Sequence, residues 1–253
     1  MRALVVMPTF NERENLETMA GRVRGAGPDV HLLVVDDNSP DGTGEIADRL
    51  AHDDDTVHVL HRTGKAGLGA AYRAGMRWGL DHGFDVIVEM DADGSHRPEQ
   101  LHRLLDAVED ADVVVGSRWV AGGAIENWPK RRMLLSRGGS LYSGLALGLP
   151  ARDVTGGYRA YRADALERIA FEDVTSRGYC FQIDMLRRAY AAGERVVEVP
   201  ITFVEREYGS SKMTASIVVE AMLRVTGWGI AGLPGRLRRR PARRVSSGSA
   251  PTR

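Results

Sequence analysis

Acidic side chains follow three short apolar segments, and they are the residues of this sequence best suited to chemistry. The first segment runs into Pro-Thr-Phe-Asn-Glu at residues 8–12, the second into Asp36 and Asp37, and the third into Asp91 and Asp93. A single aspartate is as often a turn or cap residue, but clustered carboxylates repel one another unless a cation neutralises them. Mg²⁺ or Mn²⁺ prefers oxygen ligands and shares its shell with substrate phosphates. The pattern therefore predicts a divalent metal that binds a phosphorylated ligand.

The elements that must position these acids alternate between apolar β-type runs and helical patterns. The predicted strands cover residues 3–7, 31–35, 57–61, 85–90 and 112–116. Apolar residues at helical spacing lie between them, with Asn11 and Glu14 resembling a capping box and Pro98 suited to a first helical turn. This alternation predicts an α/β fold with a Rossmann-like, mainly parallel sheet and helices on both faces. Ligands of such sheets bind beyond the carboxyl ends of the strands, where the acids lie.

The pattern is weaker in the second half of the chain. Residues 133–147 and 181–192 are expected to be helical, and residues 158–162 short and extended. Residues 196–204 are typical of a strand that is interrupted by Pro200, which favours a position near a sheet edge.

Other site types have less support. The loop at residues 8–12 lacks the Gly-x-Gly-x-x-Gly of dinucleotide-binding folds, and the Gly-rich stretch 64–69 lacks the Gly-Lys-Ser/Thr ending of a phosphate loop. His58 and His61 have no cysteine partners, so a zinc site is not expected. The single cysteine, Cys180, excludes an internal disulfide and has no histidine motif that would support a nucleophile.

A series of short motifs follows in order along the chain. The motifs are Pro-Thr-Phe-Asn-Glu at 8–12, Val-Asp-Asp-Asn-Ser-Pro-Asp-Gly-Thr at 35–43, Met-Asp-Ala-Asp at 90–93, Gly-Ser-Arg at 116–118, Val-Thr-Gly-Gly-Tyr-Arg at 154–159, Gly-Tyr at 178–179, Phe-Gln at 181–182, and the stretch from Pro200 to Gly-Ser-Ser-Lys at 209–212. Together, they resemble those of inverting nucleotide-sugar glycosyltransferases of GT-A fold. More narrowly, they resemble dolichol- or polyprenol-phosphate mannosyltransferases, including the polyprenol monophosphomannose synthases, over residues 3–213.

The resemblance implies roles on the donor side of a site. The residues that it places around the base and ribose of a guanine nucleotide are Pro8, Phe10, Glu12, Val35 and Asp37. Asp91 and Ala92 would contact the donor, and Asp93 would bind the metal, Mg²⁺ or Mn²⁺. Ser95 stands where some members of the family use glutamine as a second metal ligand, and its hydroxyl is a shorter and weaker ligand. Phe10 replaces a frequent tyrosine, which keeps a stacking face and loses a hydroxyl.

The same resemblance implies roles for four basic residues. Arg118 would meet the acceptor phosphate, Arg206 and Lys212 would bind phosphates over the site, and Arg177 occupies a position that is often basic in the family. We expect Asp91, Asp93, Arg118, Arg206 and Lys212 to carry the reaction.

The implied reaction is transfer of mannose from GDP-mannose to a polyprenyl phosphate, in a single displacement with inversion. The acceptor phosphate is already anionic, so no strong general base is required. The residue types do not separate mannose from glucose or guanine from uracil, which leaves a polyprenyl-phosphate glucosyltransferase or another nucleotide-sugar transferase as alternatives. A noncatalytic carbohydrate-binding scaffold is the alternative outside enzymes.

Charge is unevenly distributed along the chain. From Arg236 onward there are seven arginines and no acid, whereas residues 1–235 hold 27 basic and 34 acidic side chains. We expect a catalytic domain over 1–213, an amphipathic interfacial helix over 214–235 and a disordered arginine-rich tail over 236–253. The predicted apolar stripe of that helix consists of Ile217, Val218, Ala221, Met222, Val225 and Trp228, and its alternative role is packing on the domain.

These features indicate a peripheral protein at the cytoplasmic face of the plasma membrane. No run approaches the ~20 apolar residues of a spanning helix, and the amino terminus is not typical of a signal peptide. The arginines would bind an anionic membrane surface, and the sequence leaves room for an integral membrane protein that anchors the chain. Without interleaved aromatic residues, nucleic acid is not an expected partner.

Overall fold

The computed structural model describes residues 1–176, 178–205 and 215–238, without the side chains of residues 179, 215–218 and 232–238. Three predicted site residues, Arg177, Arg206 and Lys212, lie outside the described residues, as does the arginine-rich segment from residue 239 onward.

Nine strands and eight α-helices are described, with short 3₁₀ helices at Pro98–Gln100 and Phe171–Asp173. The strands are β1 (Ala3–Thr9), β2 (Val30–Asp36), β3 (Val57–His61), β4 (Val86–Glu89), β5 (Val113–Ser117), β6 (Ala124–Glu126), β7 (Arg159–Arg162), β8 (Val196–Pro200) and β9 (Thr202–Val204). The helices are α1 (Leu16–Arg24), α2 (Thr43–Asp53), α3 (Leu68–Asp81), α4 (Leu101–Val108), α5 (Lys130–Leu147), α6 (Ala163–Ile169), α7 (Tyr179–Ala192) and α8 (Ala215–Arg238).

In the described part of the chain, the main sheet contains seven strands in the order β3-β2-β1-β4-β7-β5-β8. All neighbouring pairs are parallel except those that involve β7, which is antiparallel to both β4 and β5. The predicted mainly parallel α/β sheet is confirmed, with one reversed strand in its middle.

Helices cover both faces of the sheet. Val5 and Met7 of β1 pack with residues of α1, α2 and α4, whereas Leu4 and Val6 pack with residues of α3, α6 and α7. Successive side chains of a strand point to opposite faces, so a strand buried on both sides has a continuous apolar sequence. This burial explains why β1 and β2 lack a polar alternation.

The segment over residues 196–204, predicted as a strand interrupted by Pro200, forms two strands. β8 ends at Pro200 on the edge of the main sheet, and Ile201 is buried with its amide donating to the Ser117 carbonyl at 3.1 Å. The chain then leaves the sheet, and β9 pairs in parallel with β6, a strand that was not predicted. The interruption at Pro200 and its position at the sheet edge are confirmed.

The start of α1 also differs from the expectation. Asn11 has a left-handed φ of 59° and lies in the loop after β1, where its amide donates to the Ser39 hydroxyl at 3.1 Å. The N-cap residue of α1 is Asn15, and its side chain donates to Glu12 at 2.9 Å. The predicted capping box of Asn11 and Glu14 is therefore wrong. Pro98 does begin a helical turn, as predicted.

α8 lies against α5 and α7, and it extends to Arg238, three residues into the segment predicted to be disordered. Val225 is buried and Trp228 packs beside it in a cluster with residues of α5 and α7. These two residues of the predicted membrane stripe therefore face the domain. The exposed apolar residues of α8 include Val219, Leu223 and Ile230. No described helix is both long enough and apolar enough to cross a membrane.

Candidate active site

The carboxyl ends of β1, β2 and β4 lie side by side, because these strands are parallel neighbours. Asp36 ends β2 and is paired in register with Thr9 at the end of β1. Its carboxylate accepts hydrogen bonds from the Thr9 hydroxyl at 3.0 Å and from the Ser39 hydroxyl at 2.6 Å. Asp36 therefore joins the end of β1 to the loop that follows β2. Asp37 is the next residue after Asp36.

Asp37, predicted to contact the nucleotide, is buried beside a cation. Its Oδ1 accepts a hydrogen bond from Arg62 Nη1 at 2.6 Å, and its amide donates to the Thr9 carbonyl at 3.1 Å. Burial raises the pKa of Asp37, and the charge of Arg62 opposes that rise. Arg62 directly follows β3. The sequence analysis missed it because a lone arginine after a strand has no characteristic spacing.

Two buried side chains position Asp91 after β4. The Tyr72 hydroxyl of α3 donates to Asp91 Oδ1 at 2.7 Å, and the Asp91 amide donates to His96 Nδ1 at 3.1 Å. Nδ1 of His96 is therefore an acceptor, which requires the neutral imidazole with its proton on Nε2. Burial lowers the pKa of His96, in agreement with the neutral form. The ring stacks on Tyr158 with centroids 5.0 Å apart. His96 therefore supports the loop.

Asp93 and Ser95, the predicted metal ligands, are adjacent in the same turn. Gly94 between them has a φ of 75°, a conformation that favours glycine. The Ser95 amide donates to Asp93 Oδ1 at 3.0 Å. Both residues are buried, with 2% of Ser95 and 8% of Asp93 exposed. Within the described residues, the Ser95 hydroxyl has no hydrogen-bond partner. A buried oxygen without a partner beside a carboxylate fits a cation ligand.

A pocket of about 270 Å³ opens beside this turn. It is lined by Glu14, Asn15, Thr18, Met19, Arg22, Asp93, Gly94, Arg97, Val204 and Glu205. Among the described residues, no three His, Cys, Asp or Glu side chains are grouped to hold a metal by themselves. Magnesium is commonly bound by one or two carboxylates together with substrate phosphates, so one carboxylate and one hydroxyl at a pocket fit that mode.

Arg118, at the end of β5, is a buried cation with a fixed orientation. Its Nε and Nη2 donate to the two Asp153 oxygens at 2.7 and 2.6 Å, and Nη2 also donates to the Thr155 hydroxyl at 3.1 Å. The guanidinium carbon lies 5.6 Å from the Trp119 ring centroid and 5.7 Å from that of Trp128. A bidentate pair of this kind fixes the plane of the guanidinium. The sequence analysis did not identify Asp153, which precedes the recognised motif at 154–159.

The other predicted donor-side residues lie at the same edge of the sheet. Pro8 and Val35 are register partners at the ends of β1 and β2. The side chains of Val35 and Ala92 are buried in the two core clusters on opposite faces of the sheet, so any ligand contact there involves their backbone.

Phe10 and Glu12 lie in the loop after β1. Lys65 Nζ lies 4.0 Å from the centroid of the Phe10 ring, in cation–π contact. The Glu12 amide donates to the Thr43 hydroxyl at 3.0 Å, which ties this loop to the start of α2. Both residues thus follow β1 at the edge where β1 and β2 end, while Arg118 follows β5, on the other side of β4 and β7.

A mainly parallel sheet with an Asp-x-Asp turn after its fourth strand defines the GT-A class of glycosyltransferase folds. A solved mannosyltransferase from Pyrobaculum calidifontis, in complex with GDP-Man and Mn²⁺, superposes on this chain with a TM-score of 0.55. The match covers 95% of this chain and 76% of that structure at 17% sequence identity, so it supports the fold alone.

The chain belongs to glycosyl transferase family 2, whose sequence profile matches residues 4–170. It is 59% identical to a polyprenol monophosphomannose synthase of Mycolicibacterium smegmatis, over 94% of this chain and 90% of that protein. It is 58% identical to an undecaprenyl-phosphate mannosyltransferase of Micrococcus luteus, over 94% of this chain and 99% of that protein.

Proposed function

We propose that this protein transfers mannose from GDP-mannose to a polyprenyl phosphate and forms polyprenyl-phosphate-mannose. The observation that carries this proposal is the identity of 59 and 58% to two mannosyltransferases with polyprenyl-type acceptors, over nearly the full length of each protein. The presence of Asp37, Asp91, Asp93 and Arg118 at the strand ends supports an active enzyme over a noncatalytic scaffold.

Asp93 and Ser95 are the residues that would hold a divalent cation, Mg²⁺ or Mn²⁺. The buried Ser95 hydroxyl next to the Asp93 carboxylate supports this assignment. When bound, the cation would neutralise charge on the donor diphosphate, as metal ions commonly do in transfers of this type. Glu205 at the pocket is followed in the sequence by Arg206, and we assign Arg206 and Lys212 to the diphosphate oxygens as well.

The reaction joins two anions, so the protein must orient them. A phosphate oxygen of the acceptor attacks the anomeric carbon of mannose, the new C–O bond forms, and the bond to GDP breaks on the opposite side. The acceptor phosphate is already ionised and needs no base. Arg118, held flat by Asp153, would bind that phosphate and oppose the repulsion between the two ligands.

Transfer assays test the proposal directly. The full-length protein is incubated with polyprenyl phosphate, Mg²⁺ or Mn²⁺, and either labelled GDP-mannose or labelled UDP-glucose. We expect a labelled lipid product from GDP-mannose, with inverted configuration at the anomeric carbon, and none from UDP-glucose. Transfer from UDP-glucose alone would replace the proposed function with glucosyl transfer, and a retained configuration would contradict the single displacement.

We also propose that the protein binds the cytoplasmic face of the plasma membrane peripherally through one surface of α5 and α8. Of the large apolar side chains that are exposed in the described residues, all except Met1 and Leu68 belong to these two helices. They are Leu134, Leu135, Leu141 and Leu145 of α5, and Val219, Met222, Leu223 and Ile230 of α8. We call this set the α5/α8 surface. A lipid acceptor and the arginine-rich segment after α8 support a membrane as the partner, directly or through an integral membrane anchor protein.

A further inference from the structure

Arg159 is the largest fully buried side chain described in this protein. We propose that it is a positioning residue that orients Arg118 for the acceptor phosphate by fixing the loop at residues 153–157. The inference rests on the proposed function, because it deepens the role of Arg118. Arg159 belongs to the recognised motif at 154–159, but the contacts proposed for the nucleotide and the metal do not explain why a buried arginine is present there.

The Arg159 guanidinium donates to three backbone carbonyls, besides facing Glu89 and Tyr161. Nε donates to the Gly156 carbonyl at 2.8 Å, Nη1 to the Gln182 carbonyl at 2.7 Å, and Nη2 to the Val154 carbonyl at 2.9 Å. Burying a charged group is costly unless it is fully hydrogen-bonded. This arginine therefore joins the 153–157 loop to α7 through three directed bonds, which only a planar fork of donors provides.

Successive residues of the 153–157 loop bind two different arginines, Arg159 and Arg118. The carbonyls of residues 154 and 156 accept from Arg159, whereas the side chains of Asp153 and Thr155 accept from Arg118. Arg118 Nε and Nη2 and its backbone amide all bind Asp153. Because the two sets of bonds involve successive residues of one short loop, a shift of residues 154 and 156 also shifts the residues that hold Arg118.

The donor-side acids are held by other hydrogen bonds, and the 153–157 loop meets this side of the site where Tyr158, the residue after it, stacks on His96. Asp91 is held by Tyr72 and His96, and Asp93 by the Ser95 amide. None of these described bonds involves Arg159 or the 153–157 loop. Loss of the Arg159 fork should therefore affect the acceptor far more than the nucleotide.

The first test compares Arg159→Lys with a matched control. Lysine keeps the charge, but its three donors share one nitrogen atom and cannot replace a fork in which Nε, Nη1 and Nη2 reach three separate carbonyls. The control is Arg168→Lys, since Arg168 also forms a fork, to Glu194 at 2.7 and 2.8 Å, but contacts no residue of the site. We expect Arg159→Lys to raise the KM for polyprenyl phosphate about tenfold, roughly 1.4 kcal/mol, while the Kd for GDP changes less than twofold. An unchanged acceptor KM, or an equal loss of GDP binding, would overturn the proposal.

A double-mutant comparison tests whether Arg159 acts through Arg118. In an Arg118→Ala background, Arg159→Lys should change the acceptor KM less than twofold, because the residue that it positions is gone. If the two effects multiply instead, Arg159 acts by another route and the inference fails.

A third measurement does not depend on activity. The protein has four tryptophans, Trp78, Trp119, Trp128 and Trp228, of which Trp119 and Trp128 flank Arg118. In protein labelled with 5-fluorotryptophan, Arg159→Lys should shift the ¹⁹F resonances of Trp119 and Trp128 and leave the other two in place. Shifts of all four, or of none, would overturn the proposal. If instead the wild-type protein fails to transfer mannose, the proposed function fails while this local shift still stands.

Discussion

The turn after β4 combines a carboxylate and a hydroxyl at the point where three strand ends meet. The Asp93 carboxylate already accepts the Ser95 amide through Oδ1, so its position is set by the turn itself. A ligand placed in this way requires little rearrangement when it binds a cation. A substitution can therefore remove the charge of Asp93 without altering the turn.

Asp93→Asn is expected to remove metal-dependent turnover. The amide oxygen of asparagine can still accept the Ser95 amide, so the fold should be retained while the negative charge is lost. We expect kcat to fall by about 100-fold at a metal concentration that saturates the wild-type protein. Thermal unfolding should show little change in Tm. Asp106→Asn, at an exposed position of α4, is the control and should leave both quantities unchanged. A full metal-dependent rate in Asp93→Asn would remove Asp93 from the proposed role.

Glu89 is a second acid whose environment leads to a measurable effect. It ends β4, is fully buried, and faces Arg159, Gln182 and Tyr161. Burial raises the pKa of Glu89 to about 8, although Arg159 and the hydrogen-bonding groups of Gln182 and Tyr161 lower it. A carboxyl whose pKa is higher in the folded than in the unfolded state favours folding only while it is protonated.

Glu89→Gln should therefore change how stability depends on pH. In the wild-type protein, Glu89 reduces the free energy of unfolding as pH rises from about 5 to about 8, by roughly 1 kcal/mol per pH unit. Below this window Glu89 is protonated in both the folded and the unfolded protein, and above it Glu89 is ionised in both, so the free energy of unfolding falls no further. Glutamine does not titrate, so the stability of the variant relative to the wild type should increase across the window. Urea unfolding at pH 5, 6.5 and 8 measures the difference, and a constant difference would contradict the raised pKa.

The contact between α3 and the sheet depends on a glycine. A Cβ atom at Gly75 would lie 2.3 Å from Val6 Cγ1 of β1 and 3.1 Å from Val35 Cγ2 of β2. Both valines are buried in the core, so they have little room to move. The close approach also brings Tyr72 of the same helix to Asp91, which links this packing to the site.

Gly75→Ala should destabilise the protein by about 1–3 kcal/mol, the usual range for overpacking of a core. Gly21→Ala in α1 is the matched control, because a Cβ there meets no atom within 4 Å. That change should stabilise the protein by up to about 1 kcal/mol, since alanine favours a helix more than glycine does. Urea unfolding measures both variants. Equal effects of the same sign would show that helix propensity, and not the contact with Val6, determines the result.

The strands that the sequence predicted well are mostly those buried on both faces. β1, β2, β4 and β5 lie within two residues of their predicted bounds, because each is an apolar run in the sheet interior. β3 also has its predicted bounds, although it lies at the sheet edge and is only partly buried. β6 has only three residues, largely exposed, and forms only because β9 pairs with it from far along the chain. β7 was predicted as the extended residues 158–162, but the bond from its buried Arg159 to the distant Gln182 carbonyl has no local signal.

The residues of the candidate site could likewise be predicted only where they follow a buried strand. Asp37, Asp91 and Asp93 follow directly from predicted strands, so their common edge could be expected from the sheet alone. Their partners could not: Arg62 and Tyr72 approach from β3 and α3, and Asp153 reaches Arg118 across 35 residues. The membrane stripe of α8 was partly wrong because a helical period identifies an apolar face without showing what covers it. Val225 and Trp228 are covered by the domain.

At the scale of the whole molecule, the α5/α8 surface and the arginine-rich segment after α8 adjoin each other in the chain. Apolar side chains that enter the lipid interface and basic side chains that attract anionic headgroups stabilise peripheral binding together. Arg118 lies between this surface and the sheet, since Thr155, which holds its guanidinium, also contacts Ser140 of α5 at 3.1 Å. A lipid phosphate at the membrane would then reach Arg118 beside α5.

Leu141→Glu combined with Leu145→Glu should weaken binding to vesicles that contain anionic lipid. Both leucines are exposed on α5, at 63 and 74%, so the charges should not disturb the core. We expect sedimentation with the vesicles to fall about tenfold or more, while GDP binding is unchanged. Leu68→Glu is the control, because Leu68 is exposed but belongs to α3 and not to the α5/α8 surface, and vesicle binding of this variant should match that of the wild type. If only deletion of residues 239–253 reduced sedimentation, the arginines alone would hold the protein at the membrane. If neither change had an effect on pure lipid but the leucine variant lost binding to native membranes, the surface would dock on an integral anchor protein.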